Sequence, residues 1–111
     1  MAPTDIQALG RGIHEVLILA VLRAGPKHGY QIALDVEEET DGVFGFQHGT
    51  LYPILHRLDG AGRIRGRWDR GGGRRRKVYS LTDAGRAHLE AEGSRILGVL
   101  EALRGVLGGG S

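Results

Sequence analysis

A strongly basic segment lies between Arg63 and Lys77. It holds eight of the chain's 15 lysines and arginines and a single acid, Asp69, whereas the rest of the chain has seven bases and twelve acids. A binder of polyanions requires such a block, because each phosphate that a basic side chain neutralises releases condensed counterions. A solvated, self-repelling loop has the same composition, so the charge run alone favours neither interpretation.

The stretch HGTLYPILHRL, His48 to Leu58, carries a second set of polar groups. Apolar residues recur in it at helical spacing. Pro53 locates the N-terminus of that helix, because proline is tolerated in the first turn. The helix is therefore predicted to begin near Gln47 to Thr50, with the Tyr52 phenol in its first turn. Hydrogen-bonding groups and unpaired N–H groups at such a start suit contact with phosphates and base edges.

Catalytic chemistry finds little support in the sequence. There is no cysteine nucleophile, and none of the serines Ser80, Ser94 and Ser111 lies in a strand-to-helix elbow. The run GGGRRR lacks the residue order of a phosphate-binding loop, and the five histidines show no tight ligand spacing. We predict no enzyme, no cofactor and no metal site, with a metal site assembled across the fold or a dimer left open.

The apolar patterning predicts three helices, a hairpin and a closing helix. The first two helices are expected over Ile13 to Ala24 and Tyr30 to Thr40, and the third ends at Asp59. Two alternating strands, RIRGRWD and RKVYSL, flank a tip of glycines and arginines. This is the order of a winged helix-turn-helix, mainly α with a two-stranded β-wing, in which the third helix meets the major groove of DNA.

The closing helix is predicted to start at Thr82-Asp83, with a capping hydroxyl and a carboxylate in its first turn, and to run towards Leu107. Its apolar residues form a heptad-like seam, and packing within one chain is the alternative to dimerisation. Residues 1–81 are predicted to form the DNA-binding domain and residues 82–111 a dimerisation helix with a frayed GGGS tail. The predicted dimer interface consists of Leu89, Ile96, Leu100, Leu103 and Leu107.

Composition limits the class of protein further. A chain of 111 residues with 41% hydrophobic residues supports one small domain, which a second copy would stabilise. The absence of cysteine fits a reducing compartment. The longest apolar run, Val16 to Leu22, is too short to span a bilayer, and no signal-peptide pattern precedes it. We expect a cytoplasmic protein with no membrane partner.

Three segments carry a family resemblance: LILAVLRAGPKHGYQI (17–32), GTLYPILHRLDGAGRI (49–64) and GRRRKVYSLTDAGR (73–86). In order and spacing they resemble the PadR family of bacterial transcriptional regulators, and the single helix after the wing resembles its short subfamily. The resemblance implies a homodimer that binds a partly palindromic double-stranded DNA operator, usually as a repressor. It also implies release by a small-molecule effector, whose natural site is the cavity between the first and last helices of the two subunits.

The resemblance also assigns DNA contacts to particular positions. They are His28 and Tyr30 on the DNA backbone, Thr50, Tyr52 and Pro53 in or beside the major groove with His48 just before them, and Arg74, Arg75 and Arg76 on phosphates or the minor groove. Two departures from the family pattern stand out. His48 replaces the small polar residues common there, and the last helix has no aromatic residue, which argues against a flat, stacking ligand pocket.

Packing is the alternative role for three aromatic residues. In the packing alternative, the ring of Tyr52 lies on the first helix. Tyr30 has the helical spacing of a core position relative to Ala33 and Leu34. Trp68 is interpreted as packing over the hairpin on the strand face of Ile64, with ligand stacking as the alternative. For the whole chain, the competing function is a protein-interaction module that uses the last helix and has no specific DNA target.

Overall fold

Four helices and three short strands make up the part of the chain that the structure describes. This computed structural model describes residues 6–47, 49–71 and 75–109, and side chains from residue 12 onward. In chain order the elements are α1 (Ile6–Val21), a 3-10 turn (Leu22–Ala24), β1 (Lys27–His28), α2 (Gly29–Glu39), α3 (Leu51–Gly60), β2 (Ile64–Asp69), β3 (Arg76–Leu81) and α4 (Asp83–Leu107). The predicted fold class, a mainly helical winged helix-turn-helix, is confirmed.

The first helix begins earlier than predicted, at Ile6 instead of Ile13. The prediction relied on the apolar period, which starts only at Ile13, whereas the glutamine, alanine and leucine before it favour helix by propensity alone. At the other end the last predicted turn is 3-10, and the Gly25 N–H closes it by donating to the Leu22 carbonyl at 3.1 Å. The α2 boundaries lie within one residue of the prediction.

The sheet has the strand order β1-β3-β2 and is antiparallel throughout. β2 and β3 form the predicted hairpin, in a register that places Gly66 opposite Tyr79 and Trp68 opposite Lys77. β1 is an addition to the predicted two-stranded wing: Lys27 pairs with Tyr79 in β3. Two residues carry no periodicity, and their partner lies far along the chain, so sequence patterning had no means of finding this strand.

The core forms where α1 packs against the other helices and the base of the hairpin. Ile18 and Leu19 of α1 have no exposed surface. The core cluster around them includes Ile32 and Val36 of α2, Leu51, Leu55 and Leu58 of α3, Ile64 and Tyr79 of the hairpin and Leu89 of α4. This packing fixes α3 and the wing relative to each other, because both are anchored in one core.

The junction between the hairpin and α4 is held by Thr82. Its hydroxyl accepts from the Gly85 N–H at 3.0 Å, which confirms the predicted N-cap, and donates to the Gly62 carbonyl at 2.6 Å. The Thr82 N–H also donates to the Arg63 carbonyl at 3.2 Å. α4 therefore starts pressed against the base of the wing, and Gly85 is buried there.

Candidate nucleic-acid interface

The exposed face of α3 follows from which of its residues the core takes. Leu51, Leu55 and Leu58 are buried, which leaves Tyr52 and Pro53 at the surface near the start of the helix. On the α1 side, the Arg57 guanidinium bonds the Glu15 carboxylate at 3.1 Å. α3 therefore has a fixed orientation, with its first turn open to a partner.

The turn before α3 shapes that first turn. Gly49 has a φ of +86°, a backbone conformation that favours glycine, and it leads into Thr50 at the N-cap. The Thr50 hydroxyl donates to the Gln47 carbonyl at 2.5 Å. Because its proton is thus committed, the hydroxyl oxygen meets any partner as an acceptor. His48, the neighbouring predicted contact, lies outside the described residues.

Tyr52 lies against the start of α2. A Cβ on Gly29 would be 3.1 Å from both the Cε1 and the hydroxyl oxygen of Tyr52, a spacing tighter than ordinary van der Waals contact. The glycine at the first position of α2 receives the ring, and the alternative that the ring packs on α1 stays untested. The side chain remains 59% exposed, so ring and hydroxyl are supported on one side and open on the other.

The start of α2 adds a second polar surface beside Tyr52. Tyr30 is 71% exposed, so its core alternative is wrong, because Ile32 and Val36 occupy the buried face of that helix. The first turn has no acidic residue and no side-chain cap, which leaves N–H groups available to an anion. His28 is half-buried, and within the described residues its Nδ1 has no hydrogen-bond partner.

Lys27 is held by α2. Its Nζ lies 2.7 Å from Asp35 Oδ2, and Gln31 Nε2 donates to Asp35 Oδ1 at 2.7 Å. The bonds from Lys27 and then Gln31 lower the pKa of the Asp35 carboxyl below its ordinary value. This pair locks β1 to α2 and leaves Lys27 a poor candidate for a phosphate ligand.

The wing presents exposed cations near its tip. Arg75 and Arg76 are exposed, while Arg74 lies outside the described residues. At the β2 end of the tip, Asp69 Oδ1 accepts from the Gly71 N–H at 3.0 Å. The guanidinium carbon of Arg75 lies 5.0 Å from the centre of the Trp68 ring, and Lys77 Nζ lies 5.7 Å from it. Sequence reasoning missed Lys77 as a site residue, because alternation within RKVYSL gives its face and only the register of the hairpin places it opposite Trp68.

Tyr79 stands behind these groups in the core. Burial raises the pKa of its phenol, with further contributions from Tyr52 and Asp59, so the group keeps its proton at neutral pH. Lys77 Nζ lies 5.9 Å from the Tyr79 ring centre. The wing surface is thereby continuous with the hydrophobic core.

The predicted seam of α4 divides into two parts. Leu89 and Ile96 are buried in their own chain, and Leu89 belongs to the core cluster. From Leu97 to Gly109 every residue is exposed, including Leu100 at 52%, Leu103 at 50% and Leu107 at 80%. Between α1 and α4 an open, mostly apolar cavity of about 470 Å³ is lined by residues such as Val16, Leu17, Phe44, Ile96 and Leu100.

The described residues contain neither a metal-binding cluster nor a membrane-spanning helix. No group of three or more histidine, aspartate or glutamate side chains is placed to hold a metal ion. Among the same residues, no helix combines the length and the apolar composition that crossing a membrane requires.

The fold, with an exposed α3 start beside an arginine-bearing wing, defines a winged helix-turn-helix DNA-binding protein. Residues 18–91 match the Transcriptional regulator PadR-like family. The chain is 40% identical over 85 residues to the transcriptional regulator Rv3488 of Mycobacterium tuberculosis, a match that covers 77% of this chain and 64% of that protein. It is 36% identical over 73 residues to the negative transcriptional regulator PadR of Bacillus subtilis, covering 65% of this chain and 40% of that protein.

Solved structures of PadR family proteins superpose on this chain. A PadR family transcription regulator from Clostridium difficile superposes with a TM-score of 0.73 at 28% identity, covering 84% of this chain and 96% of that one. Bacillus subtilis PadR in complex with operator DNA superposes with a TM-score of 0.64 at 32% identity, covering 71% of this chain and 45% of that one. The chain belongs to the PadR-like family, whose members are transcriptional regulators and not enzymes.

Proposed function

We propose that this regulator represses transcription as a homodimer that binds a partly palindromic DNA operator. The observation that carries the proposal is the open first turn of α3, where Thr50 is the N-cap and Tyr52 lies against Gly29 at the uncapped start of α2. An α-helix start with an acceptor oxygen and a phenol suits base edges in the major groove. The solved complex of the Bacillus subtilis relative with operator DNA supports duplex DNA as the partner.

The remaining predicted contacts have complementary roles in this proposal. His28 and Tyr30 meet the DNA backbone from the start of α2, Pro53 and His48 flank the groove, and Arg74, Arg75 and Arg76 grip phosphates or the minor groove. Phosphate contacts position the protein, and base contacts at Thr50 and Tyr52 specify the sequence. Because the Thr50 hydroxyl already donates to Gln47, its base partner is an amino group, as on adenine or cytosine.

The homodimer is proposed from the exposed half of α4. A helix segment with Gly98 and Gly105 and no packed face is marginal in water, and its leucines at Leu100, Leu103 and Leu107 continue the seam that begins at Leu89. A second copy laid along the seam would cover them. In functional terms we propose that residues 1–81 bind DNA and residues 82–111 join the two subunits, although the buried start of α4 also belongs to the core of its own chain.

An effector is proposed at the cavity between α1 and α4. Its lining is mostly apolar, with Arg23 and Glu90 as charged members, and the proposed dimer would close its open side. A molecule bound there changes DNA affinity only if it favours one dimer geometry over another. The measurement is release of bound duplex DNA on addition of small apolar compounds, with a cavity-filling Ala20→Trp variant as the control that should not respond.

The experiment that tests the function is selection of random duplex DNA by the purified protein, followed by sequencing of the retained fraction. We expect an inverted repeat with half-sites about one helical turn apart. Retention without sequence enrichment, from a folded protein, would contradict the proposal and favour the interaction-module hypothesis.

The Tyr52 hydroxyl is expected to matter for specific binding more than for non-specific binding. Tyr52→Phe keeps the ring against Gly29 and removes only the hydroxyl, so we expect about two- to tenfold weaker binding to the selected operator and unchanged binding to random duplex. Fluorescence anisotropy on both duplexes measures this. Tyr30→Phe is the matched control: as a backbone contact it should weaken both duplexes equally, and an equal loss for Tyr52→Phe would contradict the base-contact role.

The dimer is expected to dissociate when a charge enters the seam. Leu103→Glu should weaken association about a hundredfold or more, because an unpaired buried charge costs on the order of 3 kcal/mol. Analytical ultracentrifugation should then show the 11.9 kDa monomer at concentrations where the unmodified chain sediments as a dimer. Ala102→Glu, on the same exposed stretch but outside the seam, is the control and should remain a dimer. If Leu103→Glu also sediments as a dimer, the seam is not the interface.

A further inference from the structure

One face of the wing carries alternating aromatic and cationic side chains. The register places Gly66 with Tyr79 and Trp68 with Lys77 on the same face of the hairpin. Lys77 Nζ lies 5.7 Å from the Trp68 ring centre and 5.9 Å from that of Tyr79, and the Arg75 guanidinium carbon lies 5.0 Å from the Trp68 ring centre. These four side chains, Tyr79, Lys77, Trp68 and Arg75, are called the wing ladder below.

Gly66 provides the path along which Lys77 reaches this position. A Cβ at residue 66 would lie 2.5 Å from Lys77 Cε and 3.1 Å from Tyr79 Cε1. The stem of Lys77 therefore crosses the strand over the glycine before its ammonium group reaches the two rings. Strand interiors otherwise disfavour glycine, so the room that Gly66 leaves for the Lys77 stem accounts for a glycine at this position.

The ladder holds its cations without an ion pair, although Asp59 Oδ2 stands near the Lys77 stem, 3.2 Å from the Cβ position built on Gly66. Among the ion pairs of the described residues, none uses Arg75 or Lys77. A carboxylate partner in an ion pair would order these side chains and cancel their charge, whereas an aromatic face orders a cation and leaves its charge available to a phosphate. Trp68 is 55% exposed, and Arg75 and Lys77 both lie within cation–π distance of its ring.

We propose that Trp68 is a positioning residue for DNA binding, which presets Arg75 and Lys77 for contact with phosphates. The inference rests on the proposed function and deepens it by naming what orders the wing cations. A long basic side chain that is already ordered in the free protein loses less freedom on binding, so preorganisation raises affinity. Trp68 acts through the two cations, and the DNA itself need not touch the indole.

The test compares Trp68→Leu with Trp68→Phe on the full chain. Trp68→Leu keeps an apolar side chain and removes the ring, and we expect about three- to tenfold weaker binding to selected and random duplexes alike at 0.1 M salt. Trp68→Phe should restore most of this loss. In an Arg75→Ala, Lys77→Ala background, Trp68→Leu should have no further effect. A full loss in that background would overturn the proposal in favour of direct stacking on DNA, and no loss in any background would overturn it outright.

A readout on the free protein separates this inference from the proposed function. Ring currents from Trp68 should shift the Arg75 Hδ and Lys77 Hε resonances upfield, and Trp68→Leu should remove the shift while thermal unfolding stays close to that of the unmodified chain. If the unmodified protein binds DNA but the shifts are absent, the positioning role fails alone. If the shifts are present but the protein binds no duplex, the DNA-binding function fails, and the role of Trp68 in it fails too.

Discussion

Gly85→Ala is expected to lower the free energy of unfolding by about 3 kcal/mol or more, because the new methyl group would collide with backbone, which cannot turn aside as a side chain can. The Cβ would overlap the Arg63 carbonyl oxygen and would lie 2.9 Å from Leu81 Cδ1. That carbonyl is already held by the Thr82 N–H, so relief requires α4 to move away from the hairpin. Urea denaturation followed by circular dichroism measures the loss.

Gly98→Ala is the matched control in the same helix. Nothing lies within 4 Å of a Cβ built at that position, so alanine there should stabilise α4 by up to about 1 kcal/mol through helix propensity alone. Opposite signs for two identical substitutions would establish that close approach, and not glycine content, governs the junction. A similar small effect at both positions would show that α4 is not clamped to the base of the wing.

Local chemistry explains what the sequence predicts well. The start of α3 followed from Pro53, the cap of α4 from Thr82, and the hairpin from strict alternation, and each of these signals acts within a few residues. The family resemblance rests on the same local motifs and is confirmed. The predicted start of α1 was wrong because the helix begins at Ile6, before the apolar periodicity that the prediction used.

Non-local approach explains what the sequence could not predict. Gly29, Gly66 and Gly85 look like weak points in their elements, yet each receives a group from elsewhere: Tyr52, Lys77 and the Arg63 carbonyl. The β1 pairing with Tyr79 is of the same kind. A glycine in a helix or strand interior is the available signal of close approach, but it does not name the partner.

The α4 seam is also divided by contacts that are not local. A heptad spacing marks an apolar stripe without saying which chain covers it. Leu89 and Ile96 are buried within the chain, whereas Leu97 and Leu100 are exposed although they still line the cavity between α1 and α4. Where the intrachain cover ends depends on how α4 packs on α1, which the local sequence does not encode.

The double variant Arg75→Ala, Arg76→Ala is expected to flatten the salt dependence of DNA binding more than any other change outside the core. Each phosphate contact contributes about 0.9 to the slope of log affinity against log salt, so the variant should lose about 2 per engaged subunit. Selected and random duplexes should weaken in parallel, because these residues contact phosphate and not base edges. Anisotropy titrations at several salt concentrations supply both slopes.

A control of equal charge decides whether the wing itself makes those contacts. The double variant Arg95→Ala, Arg104→Ala also removes two positive charges, but from α4. Both arginines pair there with carboxylates of their own helix, at 2.9 and 2.8 Å. Those charges are already compensated, so the slope should change little. If the two double variants lose the same slope, net charge drives the attraction and the wing has no special part in it. A loss confined to Arg75→Ala, Arg76→Ala instead places about two phosphates against the wing of each bound subunit.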